Sequence, residues 1–122
     1  MEVNLTSSVP IFRQIVDGIC AAVAAGVYKP GELIPSVRQQ AVALLVNPNT
    51  VQRAYEQLER DGLLVGRRGS GMEVAQGAPA AAAAKMAQAV QSTFNQAIEQ
   101  ARSAKLTRTA IDGLYRKAWN GD

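Results

Sequence analysis

The sequence predicts a mostly α-helical chain with one small β-hairpin, arranged as a compact first segment and a short helical tail. Three observations predict it. Apolar residues recur at helical spacing in successive stretches separated by Gly, Pro and Asn. Two short apolar runs, Leu63-Leu64-Val65 and Met72-Glu73-Val74, flank the glycine-rich turn Gly66-Arg67-Arg68-Gly69-Ser70-Gly71. With 122 residues, 48% of them hydrophobic and 19% charged, the chain can form one small soluble domain with an appendage.

The first helix begins at Pro10, a residue suited to the first helical position. Ile11, Phe12, Ile15, Ile19 and Val23 make its apolar stripe, and Gly26 stops it before the turn Lys29-Pro30-Gly31. Cys20 belongs to the same core-facing scaffold. A second helix follows Pro35, with Ser36 as N-cap and Gln39 completing a capping box. Its apolar side is Val37, Ala41, Leu44 and Leu45, and Asn47-Pro48 ends it at about Leu45. A third helix restarts at once, capped by Asn47 and opened by Pro48. Val51, Ala54, Tyr55 and Leu58 form its buried stripe, and Asp61-Gly62 closes it. Two short helices joined by so tight a turn predict a helix-turn-helix, and the hairpin falls where a winged helix carries its wing.

Gln76-Gly77-Ala78-Pro79 marks a boundary, giving residues 1–76 and 77–122 as the expected domains. Ala80 to Ala84 is low in complexity but favours helix. One tail helix carries Met86, Val90, Phe94, Ala97, Ile98 and Ala101 on its apolar side. A second, after Lys105 to Thr107, carries Ile111, Leu114, Tyr115, Ala118 and Trp119. Together they hold too little core to stand alone, so they must pack on the first segment, on each other or on a second copy.

Composition narrows the chemistry. There is no histidine, which removes the commonest general base and metal ligand. The single cysteine forms no internal disulfide and suits a reducing cytosol. No catalytic residue, metal site or cofactor is expected, and a small enzyme is the weakest of the readings. No apolar run approaches the ~20 residues that span a bilayer, and MEVNLTSSV lacks the pattern of a signal peptide. No membrane contact and a cytoplasmic location are therefore expected. The net charge of +3 sits in the tail, because residues 1–76 carry seven basic and seven acidic side chains. Any binding of nucleic acid by the first segment must rest on placement rather than on total charge.

The third helix supplies that placement. Asn47, Asn49, Thr50, Gln52 and Arg53 crowd its first turns, and Glu56, Glu59 and Asp61 crowd its last. The helix dipole favours the opposite order. A recognition helix puts its first turns into the major groove, where Asn and Gln pair with adenine, Arg with guanine, and Thr with either. The acids at the far end are expected to point away from phosphate. The plainer alternative, caps and solvated surface, weakens beside a capped preceding helix and a following basic hairpin. Arg38, at the second position of helix two, is placed to reach phosphate. Arg67 and Arg68 are placed to approach the backbone or a minor groove. The glycines around them do not match a Walker loop.

Residues 10–74 resemble the winged-helix domain of GntR-family bacterial transcription regulators. PIFRQI (10–15), AGVYKPGELIPSVR (25–38), VNPNTVQRAYEQLERDGLL (46–64) and RRGSG (67–71) carry the resemblance. The Asn-Pro-Asn-Thr segment and a short tail point to the YtrA-like subfamily. The resemblance implies DNA contacts by Arg38, Asn47, Asn49, Thr50, Gln52 and Arg53, and a wing of Arg67, Arg68, Gly69 and Ser70. It implies a homodimer held by the two tail helices, with Met86, Val90, Phe94, Ile98, Ile111, Leu114, Tyr115 and Trp119 at the interface. It further implies a sequence-specific regulator, a repressor of its own operon and of an ABC transporter, on a double-stranded inverted-repeat operator. Half-sites are expected about one turn apart, roughly 10 bp. No small-molecule effector is specified. A protein-interaction adaptor without sequence-specific DNA binding is the alternative. Three residues depart from the family pattern: Gln40 at a core leucine position, Leu45 at a turn glycine, and Glu73 at an aromatic position of the wing. A left-handed backbone at Leu45 would be strained.

Overall fold

The computed structural model describes residues 1–67, 69 and 71–122; Arg68 and Ser70, both expected in the wing, lie outside the described residues. In chain order the elements are α1 (Ile11–Ala24), α2 (Val37–Leu44), α3 (Pro48–Arg60), β1 (Leu64–Arg67), β2 (Gly71–Val74), α4 (Ala78–Ser103) and α5 (Arg108–Asn120). The expected fold class, mostly helical with one hairpin, is the one observed.

Each helix start follows from its sequence. Pro10 is the N-cap of α1, at φ −57° and ψ 146°, and not its first helical residue as expected. Its carbonyl accepts from the Gln14 amide at 3.1 Å. The capping box at α2 forms in full: Ser36 Oγ accepts from Gln39 N at 3.1 Å, and Gln39 Oε1 accepts from Ser36 N at 2.9 Å. Asn47 Oδ1 accepts from Asn49 N at 2.8 Å, with Pro48 opening α3.

The helix ends share one geometry. After α2, Val46 N–H returns to Ala41 O and Leu45 N–H to Val42 O, at 3.0 and 3.3 Å, with Leu45 left-handed at φ 58° and ψ 45°. This is the Schellman motif, which satisfies carbonyls the helix would otherwise leave unpaired. Gly62 does the same after α3, and Lys105, also at φ 58°, after α4. Leu45 and Lys105 thus occupy positions where a side chain crowds the backbone.

The core of the first segment is one cluster. Ile15, Val16, Ile19, Cys20 and Val23 of α1 pack against Val51, Ala54, Tyr55 and Leu58 of α3, with Leu63, Leu64 and Val74 beneath. All four expected α3 residues are buried. Burying Val51 and Leu58 contributes on the order of 1.5–3 kcal/mol each. Tyr55 brings a hydroxyl into this cluster, and it donates to Pro35 O at 2.6 Å. Burial pushes its ionisation well above the ordinary tyrosine range, with the Tyr28 hydroxyl adding to the effect. Gln40 is buried at its departure from the family pattern.

β1 and β2 pair antiparallel, with Leu64 opposite Val74 and Arg67 opposite Gly71. The segment before α2 joins them. Ile34 N–H donates to Met72 O at 3.0 Å, Val74 N–H to Glu32 O at 2.9 Å, and Leu33 bridges Glu73. The hairpin therefore has a third, short edge, which ties its base to the chain leading into α2.

Packing divides the chain between Met86 and Ala87. The helix begins at Ala78, close to the expected boundary at 76/77, but Ala78 and Ala82 sit in the first core, so the compact unit runs ten residues further. In the second unit no residue is buried. There Phe94 and Tyr115 lie 6.4 Å apart between ring centroids, and Tyr115 and Trp119 stack at 6.1 Å. An open apolar trough of about 360 Å³ runs along these rings between the two helices.

Candidate nucleic-acid interface

α3 is held by one face and free on the other. Because Val51, Ala54, Tyr55 and Leu58 point inward, the 3.6-residue repeat turns Asn49, Gln52, Arg53, Glu56 and Arg60 outward. All five are exposed, while Thr50 is half-buried on the flank. Asn47 is exposed too, but its carboxamide oxygen is committed to the helix cap, which leaves its NH2 group for any outside partner.

Arg53 does not stand free. Its guanidinium lies 4.8 Å over the Phe12 ring, so α1 props the side chain from the side. Gln52 Nε2 donates to Glu56 Oε1 at 3.1 Å, one turn along the same face. Glu56 therefore lies on the outward face with Gln52, not apart from it as the sequence suggested.

The other acids are spoken for inside the fold. Glu59 Oε2 accepts from Gly66 N at 3.3 Å and ties α3 to β1. Asp61 caps a polar chain: Arg60 donates to Gln57, Gln57 donates to Asp61, and Lys85 of α4 donates to Asp61 at 2.8 Å. Burial raises the Asp61 carboxyl, but the bonds from Lys85 and Gln57 and the nearby charges of Lys85 and Arg60 outweigh it, so the net shift is downward. These partners explain how acids tolerate the unfavourable end of the helix dipole.

Two flanking elements present cations. Arg38 is exposed on the first turn of α2. Arg67, at the end of β1, forms an ion pair with Glu73 across the hairpin. Glu73 thus gives the second strand of the hairpin a charge that pairs with Arg67. Gly69 is exposed in the left-handed region at φ 77°.

The site residues expected from the sequence fall into two groups. Arg38, Asn47, Asn49, Thr50, Gln52, Arg53, Arg67 and Gly69 all belong to the first unit, on the first turn of α2, on α3 and its cap, and on the hairpin. Of the tail residues, Met86 closes the first unit, and Val90, Phe94, Leu114, Tyr115 and Trp119 are exposed in the second. Ile98 and Ile111 are half-buried there. Sequence reasoning missed Glu56, Phe12 and Lys85 as partners of the site. Only the first had a visible signal, the i, i+4 spacing of Gln52 and Glu56. Among the described residues no group of three metal-ligating side chains comes together, and no helix is long and apolar enough to cross a membrane.

A tight two-helix turn, a second helix with an exposed polar face and a following hairpin define a winged helix-turn-helix protein. The family model for bacterial regulatory proteins of the gntR family matches residues 12–74, and the chain belongs to that family. It is 38% identical over 78 residues to the HTH-type transcriptional repressor YtrA of Bacillus subtilis, a match over 64% of this chain and 60% of that one. It is 42% identical over 76 residues to the HTH-type transcriptional regulator YhcF of the same organism, covering 62% of this chain and 63% of the relative. The matched stretch thus spans less than two thirds of either relative. A GntR family transcriptional regulator from Listeria monocytogenes superposes with a TM-score of 0.76 at 29% identity, over 93% of this chain and 98% of that one.

Proposed function

We propose that the protein is a homodimeric, sequence-specific DNA-binding regulator that acts in the cytoplasm as a repressor. The observation that carries this reading is the outward edge of α3, where Asn49, Gln52 and Arg53 stand exposed opposite a fully buried stripe. Side chains anchored in this way read base edges without reorganising the helix. Arg38 and Arg67 flank that edge and are the phosphate contacts. Residues 1–76 are the DNA-binding part and residues 77–122 the dimerisation part. The exposed rings of Phe94, Tyr115 and Trp119 support the second assignment, since apolar surface of this kind is covered in a stable assembly. A two-fold dimer reads an inverted repeat. The similarity to a repressor supports repression, with the protein's own operon and a neighbouring ABC transporter operon as the targets.

Gel-shift titration against the DNA upstream of its own gene tests the proposal, with random duplex as competitor. Specific binding that random DNA competes poorly is expected. Arg67→Ala should lower affinity and flatten the dependence of log K on log salt by about 0.9 for one lost phosphate contact. Equal binding to both DNAs would favour an interaction adaptor instead.

A further inference from the structure

We propose that Glu56 is a specificity-determining residue that acts by orienting Gln52; the inference rests on the DNA-reading role proposed for α3. Gln52 and Glu56 are both exposed on the outward face, joined by the 3.1 Å bond from Gln52 Nε2 to Glu56 Oε1. They also line one cleft, of about 240 Å³, between the start of α2, α3 and β2.

A lone surface glutamine turns its amide freely and presents either end outward. A carboxylate accepts only, so it binds the NH2 end of the amide and fixes which end faces where. One N–H of Gln52 is then used, leaving the other N–H and the carbonyl oxygen. Those two groups are the donor and acceptor that pair with N7 and N6 of adenine. The Gln52–Glu56 pair therefore holds one glutamine rotamer ready for adenine.

The charge matters in a second way. The other acids of α3 and the hairpin bind within the fold: Glu59 to Gly66, Glu73 to Arg67 and Asp61 to Lys85. Among the described residues the hydrogen bond of Glu56 goes to Gln52. A carboxylate on this face repels phosphate and weakens binding to every duplex. A group that lowers general affinity while fixing a base-reading side chain widens the gap between right and wrong sites.

Selection of binders from a randomised duplex library by the full-length protein, Gln52→Ala, Glu56→Ala, Glu56→Gln and the double alanine variant tests the proposal. In the wild type one base pair should show an adenine preference that Gln52→Ala reduces roughly tenfold or more. Glu56→Ala should relax that same base pair, and the double variant should be no more relaxed than Gln52→Ala alone. Glu56→Gln offers a donor as well as an acceptor, no longer selects the NH2 end of the Gln52 amide, and should relax the same base pair while binding random duplex more tightly. Circular dichroism and thermal melting confirm that each variant is folded, as expected for exposed positions. Relaxation by Glu56→Ala at a different base pair, or unchanged preferences in a protein that does select a consensus, would overturn the assignment of Glu56. Absence of any consensus for the wild type would instead remove the DNA-reading role itself, and this proposal with it.

Discussion

Leu45 offers a direct measurement of backbone strain. It closes α2 at φ 58° and ψ 45°, completing the Schellman bonds to Ala41 and Val42. A side chain in this region costs about 1–2 kcal/mol, from crowding between Cβ and the following carbonyl. Burial returns little, because Leu45 is 86% exposed. Leu45→Gly removes the crowding, and the freer unfolded chain takes back about 0.5–1 kcal/mol. The net expectation is stabilisation of about 0.5–1 kcal/mol, or about 2–8 °C in Tm for a unit of this size. Leu45→Ala keeps Cβ and the strain, so it should stay within about 0.5 kcal/mol of the wild type. Urea unfolding followed by circular dichroism, at one fixed protein concentration, separates the three proteins. A Leu45→Gly variant less stable than wild type would refute the reasoning, and would show that the leucine makes a stabilising contact in the assembled protein.

Three further outcomes follow from the packing. Tyr55→Phe leaves Pro35 O without its 2.6 Å donor and should cost about 1–3 kcal/mol in denaturant unfolding. Asp61 is held below the ordinary carboxylate range, so its contribution is fully present above the unfolded value of about 3.9 and is lost as pH falls through the lower folded value. Lys85→Met removes its nearest cation, and the stability gap between wild type and variant should be open at neutral pH and shrink below about pH 4. Trp119→Ala should shift the assembly towards monomer in analytical ultracentrifugation, with helical content kept, if the exposed rings of the second unit face a second copy.

The local features were legible in the sequence because their causes are local. The Ser36 and Gln39 capping box, the Asn47-Pro48 helix start and the α3 stripe depend on residues within two turns of one another, and each stands where expected. The exposed polar face of α3 was legible for the same reason, since burial of one helical face turns the opposite face outward. Leu45 was legible as a departure from glycine, and the left-handed backbone there shows that the hydrogen-bonded helix end prevails over the preference of the residue.

Contacts between distant parts of the chain were not legible. Nothing in the spacing of Phe12 and Arg53 announces that a ring from α1 will support a cation on α3. Lys85 reads as tail in the sequence, and folding brings it to Asp61, within the compact unit Met1–Met86. The strand-like edge at Leu33 lies between two prolines and has no alternating pattern; only pairing with Glu73 creates it. The sequence by itself determined which segments are helical, how α2 and α3 start and which face of α3 is free, because hydrophobic periodicity and capping act over a few residues. The tertiary structure alone decided which partners hold the side chains on that face, because a hydrogen bond, ion pair or stacked ring forms only where packing brings its two halves within a few ångströms.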